Sequence, residues 1–501
     1  MKKGISVAVL AALMSTAPCF AQEIGAKPKH DNFYWLGEFN KASLVMVTEQ
    51  GIVPKPLGAG IANGVAKVIA DGEKAGARRP DDYLQYEPLL IAYSGPDATR
   101  IHSGRSRQDI LATTRRVMLR ERALELLDAI NMSRSKLLDM AAKYSAMIVP
   151  GYTNGVQAQP TTYGHYLIAF AEVFERDAER LQQAYGRLNL NPLGAAVYGT
   201  SSFPVNRQRL AELLGFDGNV TNGYDAVQLS TIDVANELTS IASISALTVG
   251  AFVQDIHTQY HQTVPWLLIK EGQQTHSSSI MPQKRNPTIL NKLRLQASTV
   301  VGDAHTFTLQ SHNVTPGMPD YKRESSQSTI EEATVMFGQI MTLLDNLVIN
   351  QSRALEEVNA EYSTTTELAD VLQREADVPF RVGHHFASEL VTFGRAKGLK
   401  PADIKFADTI RIWSEAGKKF DLFGMKFPLT EQRFRESMSA EGMIAASKGL
   451  GGPQPAEMSR MLDLQRTKLA SDRDWLKSTL GRLATAQMKL DKAFNGLMDG
   501  R

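Results

Sequence analysis

Residues 277–286 read Ser-Ser-Ser-Ile-Met-Pro-Gln-Lys-Arg-Asn. Three consecutive hydroxyls supply mobile backbone N–H groups and an oxygen that can serve as base or nucleophile. Pro282 stiffens the exit, and Lys284 and Asn286 place a cation and an amide two residues apart. Such a loop suits an anion held beside a reactive hydroxyl. Read alone, a serine run is more often a solvated turn. Its flanks give the setting. From about Thr231 to His261 the chain is helical in pattern, and its middle, Ile241 to Val253, is apolar or small nearly all round. A helix without a polar face belongs at the centre of a bundle or against other subunits. Helical pattern resumes from about Thr288 to Leu309, so the loop joins two long helices.

Working outward, Leu124, Leu127, Ile130, Leu137 and Ala141 recur at helix spacing from Thr113 until Pro150-Gly151 stops them. A second stripe carries Leu167, Phe170, Phe174, Leu181, Tyr185 and Leu188, ending near Asn191-Pro192. On the far side, helix is expected from Ser325 to Ala360, then shorter helices punctuated by Pro379, Pro401 and Pro428. Residues 22–112 are rich in Pro and Gly breakers, and no repeat or strand-rich segment stands out. The pattern predicts an all-α protein. Its expected parts are a signal peptide (1–21), an N-terminal domain (22–112), a central long-helix bundle (113–364) and a C-terminal helical domain (365–501).

The 501 residues carry a formal charge of +2, too little to argue for nucleic acid or an anionic membrane as partner. Lys2 and Lys3 precede an apolar run from Ile5 to about Met14, followed by Pro18, Cys19, Phe20 and Ala21. This predicts a secretory signal cleaved after Ala21 and a periplasmic location. A lipoprotein signal ending at Cys19 fits poorly with Ala17-Pro18 before it. Cys19 is the only cysteine, so the cleaved chain has no disulfide, thiolate or cysteine-ligated metal. His257 and His261 have metal-like i,i+4 spacing but no third ligand nearby, and read as bundle residues.

Three further stretches join the serine loop: His102-Ser-Gly-Arg-Ser-Arg-Gln-Asp109, Gly151-Tyr-Thr-Asn-Gly-Val-Gln-Ala-Gln-Pro160 with Gly164-His165, and Pro192-Leu-Gly-Ala195 with Gly199-Thr-Ser-Ser-Phe-Pro-Val-Asn-Arg207. In order and spacing these four blocks resemble the fumarase/aspartase superfamily, and argininosuccinate lyases most closely. The resemblance implies the superfamily's three-domain helical fold with a central long-helix bundle. It also implies a carbon–nitrogen lyase that eliminates fumarate from an N-substituted aspartate. By carry-over, Ser278 is the base, Lys284 is catalytic and Asn286 holds a carboxylate. Ser106, Arg107, Gln108, Thr153 and Asn154 line the substrate, with Tyr321 and Arg323 on the amine side. Read singly, Arg107 could be a surface ion pair and Thr153 a cap. No cofactor or metal is implied. The expected partner is a small dicarboxylate or amino-acid substrate, with no nucleic acid and no membrane after signal cleavage. A homotetramer is implied, with sites built from several subunits.

Two positions depart from the pattern. The family's His after Gly-Tyr-Thr is Asn154, and its Glu five residues after the loop Asn is Asn291. Asn donates and accepts hydrogen bonds but carries no proton at neutral pH. Rival readings are a catalytically silent anion-binding member of the fold, or a superfamily lyase or cycloisomerase with another leaving group.

Overall fold

The computed structural model describes residues 30–318, 326–420 and 426–499. The expected signal peptide, Tyr321 and Arg323 lie outside them. Three helices open the chain: α1 (Asn32–Glu49), α2 (Lys55–Gly72) and α3 (Tyr83–Ser94). Asp31 and Asp82 cap α1 and α3 by accepting from Tyr34 N and Leu84 N, while Pro56 sits in the first turn of α2 after Pro54 at its N-cap. The 37-residue α4 (Arg107–Lys143) then crosses the molecule, about 55 Å at helical rise.

A hairpin of β1 (Ile148–Thr153) and β2 (Val156–Thr162) reverses the chain into α5 (Tyr163–Leu188), which Thr162 caps. A short parallel pair, β3 (Leu190–Asn191) and β4 (Gly218–Asn219), encloses α6 (Arg207–Leu213). A π turn at Asp225–Leu229 leads into α7 (Ser230–Gln259). Next come β5 (Leu267–Ile269), β6 (His276–Ser277), β7 (Arg285–Asn286), α8 (Thr288–Ser311) and α9 (Ser326–Asp345). β8 (Leu347–Ile349) pairs antiparallel with β5 and precedes α10 (Gln351–Ala360).

Helices α4, α5, α7, α8 and α9 pack as a bundle around Leu127, Leu167, Phe174, Leu238, Leu293 and Phe337, all buried. Together with its π turn, α7 is the one described helix long and apolar enough to cross a membrane, and half of its most apolar window is buried. That buried side packs on α5, α8 and α9. A second core gathers Phe33, Phe39, Val65 and Tyr86 from the first helices. A third forms around Phe386, Trp413 and Phe434 from α11 (Thr365–Ala376), α12 (Phe380–Ala396), α13 (Phe406–Gly417) and α14 (Glu431–Ser437), with α15 (Ala440–Ala446) beside them.

Three expectations need correction. Helix α4, expected to run until Pro150, ends at Lys143, because the chain turns there to begin the hairpin. The stretch read as helix from Ser325 to Ala360 is broken by β8, whose partner lies some eighty residues earlier. The last helix, α16 (Pro455–Met498), falls within the expected C-terminal domain of residues 365–501. Its Met458, Leu469 and Leu476 instead pack in the bundle core, and its Leu490 and Phe494 in the N-terminal one.

Candidate active site

Ser106 is the N-cap of α4. Its hydroxyl accepts from Gln108 N at 3.2 Å, and its own N–H donates to Asp109 Oδ1 at 2.8 Å, which completes a capping box. The other oxygen of Asp109 accepts from Gly194 N (2.8 Å) and Ala196 N (3.0 Å). One buried carboxylate therefore ties two of the sequence blocks together. Burial pushes the Asp109 carboxyl up to about 7, against the N–H groups of Ser106 and Gly194, the Arg105 charge and the N–H of Ala196. Arg107 is half exposed and paired with Asp82 at 2.6 Å. Beside them, buried Arg105 donates to Asn40 Oδ1 and Ser43 Oγ, both at 3.0 Å, with its guanidinium over the Tyr83 ring.

His102 stacks on the same ring, 4.5 Å between centroids. Burial and then the Arg105 charge lower its pKa to about 4. A base whose folded pKa lies below its ordinary 6.5 contributes stability that is full above pH 6.5 and lost as pH falls through 4. We expect wild type to lose about 2–3 kcal/mol more than His102→Asn between pH 7 and pH 4. Parallel losses in denaturant melts of the two proteins would refute this.

Thr153 and Asn154 sit at the tip of the β1–β2 hairpin. Thr153 pairs with Val156, so Asn154 and Gly155 form a two-residue turn with φ of 52° and 74°. Positive φ at both central positions is the type I′ pattern that favours Asn-Gly. Asn154 is thus fitted to its turn, whatever it does for a substrate. The hairpin is braced from α10: Tyr152 Oη donates to the Glu357 carboxylate, and Gln157 donates to the Glu357 carbonyl at 3.1 Å.

Ser278 follows β6 in a tight loop closed by β7, with His276 opposite Asn286 and Ser277 opposite Arg285. Its N–H donates to the Lys284 carbonyl at 3.2 Å. Its hydroxyl oxygen accepts from Met281 N (3.2 Å) and Ile280 N (3.4 Å). Two N–H dipoles converging on one oxygen favour the form in which that oxygen is negative. Arg285 pins the exit through Glu271 (2.9 Å) and the Pro282 carbonyl (2.6 Å). Lys284 is exposed and has no ion-pair partner among the described residues.

Asn286 Nδ2 donates to His276 Nε2 (3.2 Å) and to the His276 carbonyl (3.3 Å). As it stands, Asn286 braces the hairpin, and gripping a carboxylate requires it to release His276. The amide at Nε2 places the ring proton on Nδ1, which donates to Thr288 Oγ1 at 2.7 Å.

Within one chain these residues form two groups. Ser106, Arg107 and Gln108 stand at the start of α4. The hairpin with Thr153 and Asn154 leaves the other end, where Tyr163 N bonds the Met147 carbonyl and Gly164 N bonds that of Tyr144. The Ser278 loop emerges on that same side, since Trp266 packs on Tyr163 and its carbonyl accepts from Asn350 N. Asn291 lies exposed in the first turn of α8. A carboxylate there would meet the helix N-terminus favourably, so Asn291→Glu should raise stability by about 0.5 kcal/mol, while Asn154→His should lower it by roughly 1 kcal/mol at its positive φ. Denaturant midpoints of the singles and the double variant measure both, and a destabilising Asn291→Glu would contradict this placement. Asp109 and Arg105 lie inside the 102–109 block, yet the family resemblance assigns neither of them a role. The available clue is Asp109 three residues after Ser106, the capping-box spacing that ties its carboxylate to the start of a helix.

A family described as lyase matches residues 67–302, and one described as argininosuccinate lyase C-terminal matches residues 362–445. Argininosuccinate lyase of Methanosarcina acetivorans is 32% identical over 467 residues, covering 91% of this chain and 90% of that protein. Argininosuccinate lyase 2 of Agrobacterium fabrum is 32% identical, covering 95% and 94%. Among solved structures, EDDS lyase in complex with formate superposes with a TM-score of 0.84 at 26% identity, covering 93% of this chain and 92% of that one. A class II fumarase from Schistosoma mansoni shares the fold, with a TM-score of 0.64 at 14% identity. With near-full-length relatives above 30% identity and the helical fold in agreement, the chain belongs to the argininosuccinate lyase family of the fumarase/aspartase superfamily and is a carbon–nitrogen lyase.

Proposed function

We propose that the protein is an exported, tetrameric lyase that eliminates fumarate from an N-substituted aspartate, with Ser278 as base. The observation that carries this reading is the Ser278 oxygen, which accepts two backbone N–H groups in a loop that also presents Lys284. Ser278 acts as the alkoxide that these N–H groups favour once its own proton has passed to solvent. It takes the proton from the carbon next to the distal carboxylate and becomes the neutral hydroxyl. The electron pair left behind spreads onto that carboxylate, and Lys284 offsets the added charge. The pair then forms the C=C bond as the C–N bond breaks and its electrons pass to nitrogen. A secondary amine substrate already protonated on nitrogen leaves as a neutral amine and needs no further acid. That accords with Asn154 and Asn291, neither of which can deliver a proton.

Two observations support the tetrameric part of this reading. Ser106 and Thr153 lie at opposite ends of α4, so a site that uses both draws them from different subunits. The bundle also exposes apolar side chains along three of its helices: Leu247 at 62%, Leu295 at 69% and Val335 at 52%. Such a surface suits burial against further copies. Export rests on Lys2, Lys3, the apolar run from Ile5 to about Met14 and the small-residue cleavage site ending at Ala21. An exported chain whose N-terminal sequence begins at Gln22 would support it.

The deciding experiment follows fumarate absorbance with a panel of N-substituted aspartates. Turnover of at least one, lowered by roughly 10²-fold or more in Ser278→Ala, is expected. Binding of the panel without any fumarate release would favour a silent anion-binding protein instead.

A further inference from the structure

A cavity of about 240 Å³ lies under the β1–β2 hairpin, against the C-terminal end of α7. Three of its lining residues carry a buried polar atom with no hydrogen-bond partner: Tyr163 Oη, Gln259 Oε1 and Trp266 Nε1. Their side chains are 1%, 7% and 5% exposed. Native interiors leave few such groups unpaired, so three around one space point to an occupant. Its charge can be read from the wall. Asp255 is the one charged residue in the lining, and no Lys or Arg joins it. Tyr166 Oη donates to Asp255 Oδ2 at 2.7 Å, which leaves Oδ1 to meet a cation. The rings of Tyr152, Tyr163, Tyr166 and Trp266 line the cavity with Asp255, Tyr163 stacking on Tyr166 and meeting Trp266 edge-on. Opposite requirements sit deeper: the Trp266 N–H and Tyr163 O–H need an acceptor, and Gln259 Oε1 needs a donor.

We infer that this cavity binds a small primary ammonium compound carrying a carbonyl or hydroxyl oxygen, of the size of an amino amide or amino alcohol. The ammonium faces Asp255 among the tyrosine rings, and the oxygen accepts from Trp266 and Tyr163. Tyr152 and Thr153 are successive on β1 and point to opposite faces of the strand. A ligand here therefore bears on the hairpin that presents Thr153 without occupying its site. Binding is read without turnover, so its failure would leave the fumarate-forming reading untouched.

The test titrates glycinamide into the purified full-length protein by calorimetry, with glycolate as an anionic control of similar size. Saturable binding of glycinamide and none of glycolate is expected. Asp255→Asn should weaken glycinamide by at least about tenfold, as loss of a charge-assisted hydrogen bond does. Trp266→Phe keeps the ring, removes the N–H and should weaken it by a smaller factor. Asp255 is exposed, so its variant folds irrespective of how the Trp266 change is tolerated. No saturable heat with glycinamide, equal binding by Asp255→Asn, or equal binding of glycolate would each overturn the assignment.

Discussion

Ser278→Ala is expected to lower fumarate formation by roughly 10²-fold or more while the protein keeps its fold and its affinity for dicarboxylates. The hydroxyl is an acceptor for Met281 N and Ile280 N, so its removal also frees two loop N–H groups to water. That change falls in a half-exposed turn and costs little stability. Lys284→Met should differ in kind. The lysine is proposed to meet the carboxylate both before and during charge development, so binding and turnover should fall together. Steady-state rates, with fumarate binding measured separately, distinguish the two. A Ser278→Ala enzyme with near-normal turnover would remove the serine from its role.

The largest expected loss of stability lies far from the chemistry. Arg134 of α4 is fully buried, and its guanidinium meets Asn131 Oδ1 at 3.0 Å and the Asp472 carboxylate of α16. The same carboxylate accepts from Gln182 of α5 at 2.7 Å. Asp472→Ala would strand a buried cation and unfasten three helices at one point. Removing one partner of such a pair costs about 3–5 kcal/mol, and the partial exposure of Asp472 argues for the lower end, about 3 kcal/mol. Asp472→Asn keeps an acceptor and should fall between. Denaturant unfolding compares the three proteins, and a loss of under about 1 kcal/mol for Asp472→Ala would show that the pair is not a clasp.

The bundle helices were legible because each buries one stripe at helical spacing. Leu167, Phe174, Leu181 and Leu188 of α5 are all buried, as their period requires. β8 was not legible: three apolar residues between two helices become a strand only by meeting Leu267–Ile269, and local pattern carries no record of a distant partner. The placement of α16 failed for the same reason, since its contacts are with α4, α5, α1 and α2. Asn154-Gly155 is itself a hairpin signal, yet Pro150 and Pro160 face each other across the ladder and disguise the strands that it joins. In the candidate site, residue types could be read from the blocks, but their prior engagements could not. Ser106 doubles as a helix cap and Asn286 is already bonded to His276. Both follow from geometry that a motif does not encode.

The length of α4 has a consequence for inheritance. Two defective alleles, one with Ser278→Ala and one with a change at Ser106, would each yield silent protein when expressed alone. On the proposed assembly with sites shared between subunits, the two chains expressed together in one cell and assembling at random would place both intact segments in about a quarter of the sites. Activity would reappear from two null genes, at a level set by mixing and not by any repair of either chain. Co-expression and a fumarate assay suffice to see it, and complete silence of the mixture would mean that each chain completes its own site.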